Sequence, residues 1–133
     1  MRIGLFGKSL SDKNVVYLKQ LLKKLNDSNI QFSFYKPYFD LVSQKFSIDG
    51  DISMFHDHST LQQQADILFS IGGDGTLLDT LSLIRDSGMP ILGVNLGRLG
   101  FLSSISRDEI LPAIDHLVKG NYRLDKRTLL NLV

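Results

Sequence analysis

The chain has 133 residues, of which 43% are hydrophobic and 22% charged, so it has the size and composition of one folded globular domain. Fifteen basic and fourteen acidic side chains give a net charge of +1, which does not favour nucleic acid or an anionic membrane as a partner. Disulfides and thiolate metal sites are excluded by the absence of cysteine. The sequence has no signal peptide and no apolar run long enough to cross a bilayer, so we expect a cytoplasmic protein.

The first third of the chain predicts a strand, a helix and a second strand. The apolar run "RIGLF" at 2–6 predicts the first strand, and Ser9 and Ser11 are candidate N-caps for a helix over 12–27. That helix has one apolar face, with its lysines elsewhere. "IQFSFY" at 30–35 alternates apolar and polar residues with the period of a strand.

The next segment is rich in turn residues. After Pro37, "YFDLVSQKF" predicts a short helix, and "SIDGDISMFHDHST" at 47–60 predicts a surface loop. The "HDH" of this loop has side chains that can bind metals, but no second His or Cys pair accompanies it. We therefore interpret it as polar surface and predict no protein metal site.

Two strands followed by glycine-containing loops are predicted in the second half of the chain. "ADILFSI" at 65–71 is continuously apolar, as buried parallel strands are, and leads through "GGDGT" at 72–76 into a helix over 76–87. "ILGVN" at 91–95 predicts the next strand, and the loop "LGRLGFLSS" at 96–104 follows it.

The last predicted helix has a signal at each end. Ser106 and Glu109 form a capping box at its start, Gly120 ends it, and Pro112 fits only if it falls in the first turn. The final segment, "YRLDKRTLLNLV" at 122–133, predicts extended chain.

Alternation of strands and helices predicts an α/β fold, a Rossmann-like parallel sheet flanked by helices. In such sheets ligands bind beside the carboxyl ends of the strands, where both glycine-containing loops fall. Glycines at a strand-to-helix turn permit positive φ and let phosphate oxygens approach main-chain N–H groups at a helix N-terminus. The sequence therefore predicts a phosphate-binding site at residues 72–76.

Asp74 is the carboxylate among these glycines. It can accept a proton from a substrate hydroxyl or hold Mg²⁺, and phosphoryl transfer needs both tasks performed beside anionic substrates. The alternative is that Asp74 only caps the helix and that the glycines only make a tight turn.

The two loops also carry a family resemblance. "GGDGTLL" resembles the signature shared by NAD kinases, diacylglycerol and sphingosine kinases and, more loosely, 6-phosphofructokinases. "GVNLGRLGFL" at 93–102 resembles the second loop of NAD kinases, and the Gly-Thr-Gly-Asn-Asp pattern of lipid kinases is absent. The resemblance to NAD kinases runs from about residue 64 to the end of the chain and is weaker over 1–35.

This resemblance implies the N-terminal domain of a two-domain NAD kinase fold. Residues 1–120 would form the α/β nucleotide-binding domain, and residues 121–133 would begin a truncated, β-rich second domain. NAD kinases carry an Asn-Glu or Asn-Asp pair in that second domain, and no such pair follows the glycine loops here. Asn95 is not that asparagine. The resemblance thus implies an inactive fragment of an enzyme that is a homo-oligomer at full length.

The resemblance also implies a reaction and its residues. Asp74 would be the general base for the 2′-hydroxyl of the adenosine ribose of NAD, with ATP or polyphosphate as donor and Mg²⁺ as cofactor. The other residues that would contact substrate are Gly73, Gly75, Thr76, Arg98 and Phe101. Core packing is the alternative for Phe101, and a solvated side chain is the alternative for Arg98.

Two other functions stay open from sequence alone. One is a lipid or sugar kinase with the same "GGDGT" signature, and the other is a non-catalytic nucleotide-binding or assembly module. A Walker-type phosphate loop is not predicted at "GLFGKS", residues 4–9, because the motif would require glycine where Arg2 stands.

Overall fold

A computed structural model describes residues 1–85, 87–96, 105–120, 122–124 and 130–132, the last two ranges as backbone. The strands are β1 Arg2–Gly7, β2 Gln31–Tyr35, β3 Ser53–Phe55, β4 Ile67–Ile71, β5 Ile91–Asn95, β6 Ile105–Ser106, β7 Tyr122–Leu124 and β8 Leu130–Leu132. The helices are α1 Val15–Asp27, α2 Lys36–Ser43, α3 His58–Gln64, α4 Asp74–Ile84 and α5 Ile110–Lys119. Within these described residues, none of the helices has the length and apolar character required to cross a membrane.

The first six strands form one sheet in the order β3-β2-β1-β4-β5-β6, and every neighbouring pair is parallel. The chain builds outward from β1 to β3 and then returns to the other side of β1 with β4. The carboxyl ends of β1 and β4 therefore meet where the strand order reverses, which is where open α/β sheets bind ligands. The predicted Rossmann-like parallel sheet is confirmed.

Helices cover both faces of the sheet. On one face α1, α2 and α5 pack against β1, β4 and β5 through a cluster of buried side chains. Its members from the helices are Leu18, Leu21, Leu22, Leu25, Tyr38, Val42, Ile110, Ile114 and Leu117. On the other face α3 and α4 contribute Leu61, Leu77, Leu83 and Ile84. Coverage on both faces explains the continuous apolar run of β4, which is buried at all five positions.

The strands predicted at 2–6, 30–35, 65–71 and 91–95 are confirmed. The helices predicted over 12–27 and after Pro37 are also present, but α1 begins at Val15 and α2 begins at Lys36. The prediction of a loop over 47–60 was wrong, because the segment contains β3 and the start of α3. Asp57 begins α3 by accepting a hydrogen bond from the Thr60 amide at 2.9 Å, and the three residues of the short strand β3 pair with β2. Such a short edge strand is stabilised by its neighbour, a contact that local sequence does not reveal.

Helix ends differ from the predictions by a few residues. The helix predicted over 76–87 begins at Asp74 and ends at Ile84. The capping box of Ser106 and Glu109 is confirmed, with the Ser106 amide donating to the Glu109 carboxylate at 3.0 Å. It opens a short 3-10 turn before α5. Pro112 falls in the first turn of α5, and Gly120 ends the helix in the left-handed conformation with φ 75°.

The last two strands are separate from the main sheet. β7 and β8 form an antiparallel, two-stranded sheet, with Tyr122 opposite Leu132. Extended chain was predicted there, and a change from parallel to antiparallel pairing near residue 121 is compatible with the predicted domain division.

Candidate functional site

Three strand ends meet at the point where the strand order reverses. Gly7 at the end of β1 pairs with Ile71 at the end of β4, and Ile71 pairs with Val94 of β5. The loops that leave these strands therefore lie side by side. One of them is the "GGDGT" segment, as the position of this motif after a buried strand predicted.

A cavity of about 200 Å³ lies between these loops. Three elements line it: the segment after β1, the end of β4 with its glycines, and the end of β5. The lining residues are Ser9, Leu10, Ser11, Asn14, Ile71, Gly72, Gly73, Asn95 and Leu96. Two serines, two asparagines and two glycines thus line one small space together with three apolar residues, so hydrogen-bonding groups are available there for a polar or anionic ligand.

Gly72 makes the turn out of β4. Its N–H donates to the Val94 carbonyl at 2.9 Å, so it still belongs to the sheet, but its φ of +151° is accessible essentially to glycine alone. A Cβ placed on Gly72 would lie 2.6 Å from Thr76 Oγ1. Both the backbone conformation and the packing of Thr76 therefore require glycine at this position.

Gly73 and Asp74 begin α4. Gly73 is the N-cap residue, and the Leu77 amide donates to its carbonyl at 3.1 Å. Asp74 is the first helical residue and is half-buried. The N-cap position is therefore held by a glycine, which has no side chain that could cap the helix, and not by the Asp74 carboxylate. Asp74 instead places a negative charge in the first turn, where the helix dipole stabilises it.

The exposed glycines leave room for a ligand. Among the described residues, nothing beyond the chain neighbours and the helix's own backbone lies within 4 Å of a Cβ built on Gly73 or on Gly75, and both residues are exposed. Their backbones are therefore approachable from solvent at the N-terminus of α4. Thr76 differs from them, because its side chain packs against Gly72 and is half-buried.

A tight contact fixes the start of the loop after β1. A Cβ on Gly7 would lie 2.5 Å from Tyr38 Cε1, so glycine lets the α2 tyrosine pack directly on the end of the strand. Tyr38 is 1% exposed, and burial raises the pKa of its hydroxyl well above the usual range. The loop that carries Ser9 and Ser11 thus begins at a strand end that packs against a buried side chain.

Several residues of this site are not among the predicted ones. Ser9 and Ser11 were expected to cap a helix, but Ser11, at the cap position of the 3-10 turn Asp12–Asn14, makes no side-chain cap bond. Both line the cavity instead, together with Asn14 and Asn95. The sequence feature that could have identified Ser9 and Ser11 as site residues is a short polar segment directly after an apolar strand. Nothing in the sequence says that β1 lies next to β4.

Two predicted substrate-contacting residues, Arg98 and Phe101, lie outside the described residues, as does most of the loop at 96–104. Of the others, Gly73 lines the cavity, and Asp74, Gly75 and Thr76 follow it in the first turn of α4.

A larger groove of about 590 Å³ lies at the opposite edge of the sheet. It is lined by Asn26, Asn29, Ile30, Gln31, Phe32, Asp49, Gly50, Asp51, Ile52 and Ser53. This groove is at the amino ends of β2 and β3, and none of its lining residues belongs to a strand-to-helix turn of the described chain. The smaller cavity, at the carboxyl ends, is therefore the better candidate site.

The "HDH" segment has structural partners. Asp57 caps α3, and His58 Nδ1 lies 2.6 Å from the Leu83 carbonyl oxygen of α4. Within the ranges that the structure describes, no three His, Cys, Asp or Glu side chains are grouped so that they could hold a metal ion.

Comparison with known proteins gives a consistent result. A profile described as the ATP-NAD kinase N-terminal domain matches residues 3–122. The chain is 36% identical over 134 residues to a NAD kinase of Cytophaga hutchinsonii, covering 100% of this chain and 46% of that protein. It is 35% identical over 132 residues to a NAD kinase of Flavobacterium psychrophilum, covering 99% of this chain and 45% of the relative. The chain thus spans about half the length of the curated relatives it matches.

The fold has a counterpart among solved structures. The crystal structure of yeast NADH kinase complexed with NADH superimposes with a TM-score of 0.74 at 19% identity, over 92% of this chain and 39% of that one. At this identity the likeness supports the fold.

Proposed function

The chain belongs to the NAD kinase family, and we propose that it is the nucleotide-binding half of an enzyme that phosphorylates NAD. The acceptor would be the 2′-hydroxyl of the adenosine ribose, and the product NADP. The observation that carries this proposal is the cavity at the carboxyl ends of β1, β4 and β5, beside the N-terminus of α4.

The terminal phosphates of ATP or polyphosphate would occupy this cavity. Gly73 and Gly75 leave the backbone at the start of α4 open, so phosphate oxygens can accept hydrogen bonds from main-chain N–H groups there. The positive end of the helix dipole adds to the attraction. Hydroxyls of Ser9 and Ser11 and the amide of Asn14 offer further donors from the loop after β1.

Asp74 would act as the general base. It lies one residue beyond Gly73, at the edge of the cavity, where a carboxylate can accept the proton of an acceptor hydroxyl as the phosphoryl group transfers in line. Gly75 and Thr76, one and two residues further along, would lie along the dinucleotide, and Phe101 and Arg98 would contact it from the loop after β5.

Mg²⁺ is compatible with this donor set if it enters with the phosphates. The described residues group no three candidate ligands, whereas Mg²⁺ is commonly held by one or two carboxylates plus substrate phosphates. Asp74 would be the carboxylate that contacts the ion, and the ion would supply neutralisation of the phosphate charge.

The rest of the site would come from a second domain that residues 121–133 begin. Half of the dinucleotide site would then be absent from these 133 residues, so we expect them to be inactive alone. The full-length protein would be a homo-oligomer. Leu111 and Val118, two exposed apolar residues seven positions apart on α5, are available for such contacts at 40% and 55% exposure.

The test is an assay of the whole protein with NAD, Mg²⁺ and either ATP or polyphosphate. An NADP-specific dehydrogenase reads the product, and residues 1–133 are assayed in parallel. Formation of NADP by the whole protein and not by residues 1–133 supports the proposal. Phosphorylation of a diacylglycerol or sphingosine without NADP formation would replace it by the lipid-kinase alternative. Sedimentation of the whole protein tests the oligomer.

A further inference from the structure

Lys8 is the basic residue of the "GKS" segment that does not complete a Walker-type loop. It directly follows β1 and precedes Ser9, which lines the cavity. Lys8 therefore lies at the point where the strand order reverses, which is where open α/β sheets bind ligands. It does so without belonging to a phosphate-loop motif.

The Lys8 ammonium is paired with a carboxylate of α4. Lys8 Nζ lies 2.5 Å from Asp79 Oδ2 on α4, five residues after Asp74. The two side chains are 57% and 48% exposed, so water screens the pair and it holds the lysine weakly. The ion pair joins the two elements whose loops enclose the cavity.

We infer that Lys8 is a phosphate-binding residue of the donor site and that Asp79 holds its ammonium beside the cavity until a donor phosphate displaces it. The inference rests on the proposed function, because it takes the donor phosphates to occupy the cavity. Lysine has a flexible four-carbon stem and three N–H donors, so it can exchange one oxyanion for another without moving the backbone.

The exchange has a definite direction. A terminal phosphate carries more charge than one carboxylate and binds at the same time to the helix N-terminus, so it competes successfully with Asp79. Asp79 therefore opposes phosphate binding in two ways: it competes for the ammonium, and it repels the anion once the lysine has moved. Removing the lysine and removing the aspartate must have opposite effects.

Calorimetric titration of the whole protein with inorganic tripolyphosphate tests whether the two substitutions have opposite effects on phosphate binding. Lys8→Gln should weaken binding about tenfold, the loss expected for one charged hydrogen bond, and Lys8→Arg should restore most of it. Asp79→Asn should tighten binding severalfold. The matched controls are Lys23→Gln and Asp27→Asn, which break an exposed ion pair of 2.8 Å late in α1, far from the cavity. They should change nothing.

Three results would overturn the inference. One is equal affinity of wild type and Lys8→Gln, and another is no binding of tripolyphosphate to the wild type. The third is weaker binding in both Lys8→Gln and Asp79→Asn with equal losses of thermal stability, the behaviour of a pair that only fixes the loop.

Failure of the proposed function gives a different pattern. In that case NADP is not formed while the opposite effects of the two variants on tripolyphosphate binding persist. Failure of the Lys8 inference alone leaves NADP formation intact, with the same KM for the donor in wild type and Lys8→Gln.

Discussion

Thr76 Oγ1 lies 2.6 Å from the position that a Cβ on Gly72 would occupy. The Thr76 side chain therefore fills the space that a side chain at position 72 would need. Gly72 also has a φ of +151°, so the turn between β4 and α4 depends on glycine for two independent reasons.

Gly72→Ala should lower the free energy of unfolding by about 1–3 kcal/mol, because the alanine must adopt a strained φ and displace Thr76. Urea denaturation of the purified variant measures the loss. Combining it with Thr76→Ala should recover part of the stability by removing the contact but not the strain. A Gly72→Ala protein as stable as wild type would contradict the geometry of this turn.

Gly75→Ala should have the opposite effect on stability. Gly75 is an exposed residue in the first turn of α4. In the part of the chain that the structure describes, nothing beyond its chain neighbours and its own helix backbone lies within 4 Å of its added Cβ, so alanine should stabilise α4 by up to about 0.5–1 kcal/mol. The same methyl group would occupy space that the proposed function gives to the dinucleotide. We therefore expect higher stability together with weaker NAD binding, measured by denaturation and by calorimetry. Unchanged NAD binding would place the dinucleotide away from Gly75.

Asp74→Asn tests the general base in the whole protein. Loss of a positioned base should lower kcat by about 10²–10⁴-fold while the KM for NAD changes much less. Gly73 occupies the cap position, so the substitution leaves the N-cap unchanged and removes a first-turn charge, whose interaction with the helix dipole is worth about 0.3–1 kcal/mol. Steady-state kinetics and a thermal midpoint separate the two effects. Near-normal kcat would leave Asp74 with a structural role.

Gly7→Ala should weaken binding of the donor phosphates, although Gly7 itself does not line the cavity. The new Cβ would lie 2.5 Å from the buried Tyr38 ring, and relief of this overlap must move the strand end or the loop that carries Ser9 and Ser11. Overpacking of this kind costs about 1–3 kcal/mol, whether the backbone or the buried Tyr38 ring shifts. Tripolyphosphate titration and urea denaturation measure the two consequences.

Tyr38→Phe is the control for that variant. It keeps the ring against Gly7 and removes a buried hydroxyl that has no hydrogen-bond partner within the described part of the chain. Stability should be unchanged or slightly higher, because burying an unpaired hydroxyl is unfavourable. A clear loss of stability would show that the hydroxyl has a partner in the folded protein.

Acid should weaken the attachment of β1 to β4. Arg2 donates to the Asp66 carboxylate through Nη2 at 3.0 Å and through its amide at 2.9 Å, and the Arg2 guanidinium lowers the pKa of Asp66. A carboxylate whose pKa is lower in the folded than in the unfolded protein stabilises the fold above the unfolded value, about 3.9 for aspartate. This contribution is lost as the pH falls through the folded pKa.

Urea midpoints measured from pH 6 to pH 3 test this sign. The urea concentration at the wild-type midpoint should decrease as the pH is lowered below about 4. Asp66→Asn should make this decrease less steep. Arg2→Met should have a similar effect, since it removes the group that lowers the pKa. Parallel curves for wild type and Asp66→Asn would contradict the assigned partner.

Local sequence determined much of this protein. The apolar runs that form β1, β4 and β5 are continuous and are bounded by glycine or polar residues, so their positions follow from side-chain chemistry alone. The "GGDGT" turn could be identified for the same reason, because the need for glycine at Gly72 is a property of one backbone position. The capping box of Ser106 and Glu109 spans a single turn and is equally local.

Only the tertiary structure decided which of these segments meet. β1 lies between β2 and β4, which brings Ser9 and Asn14 to the same cavity as Gly72 across more than fifty residues of sequence. The contacts of Lys8 with Asp79 and of Gly7 with Tyr38 likewise join distant segments. Strand order depends on the burial of both faces of the whole sheet, a sum over many long-range contacts that no single stretch of sequence encodes.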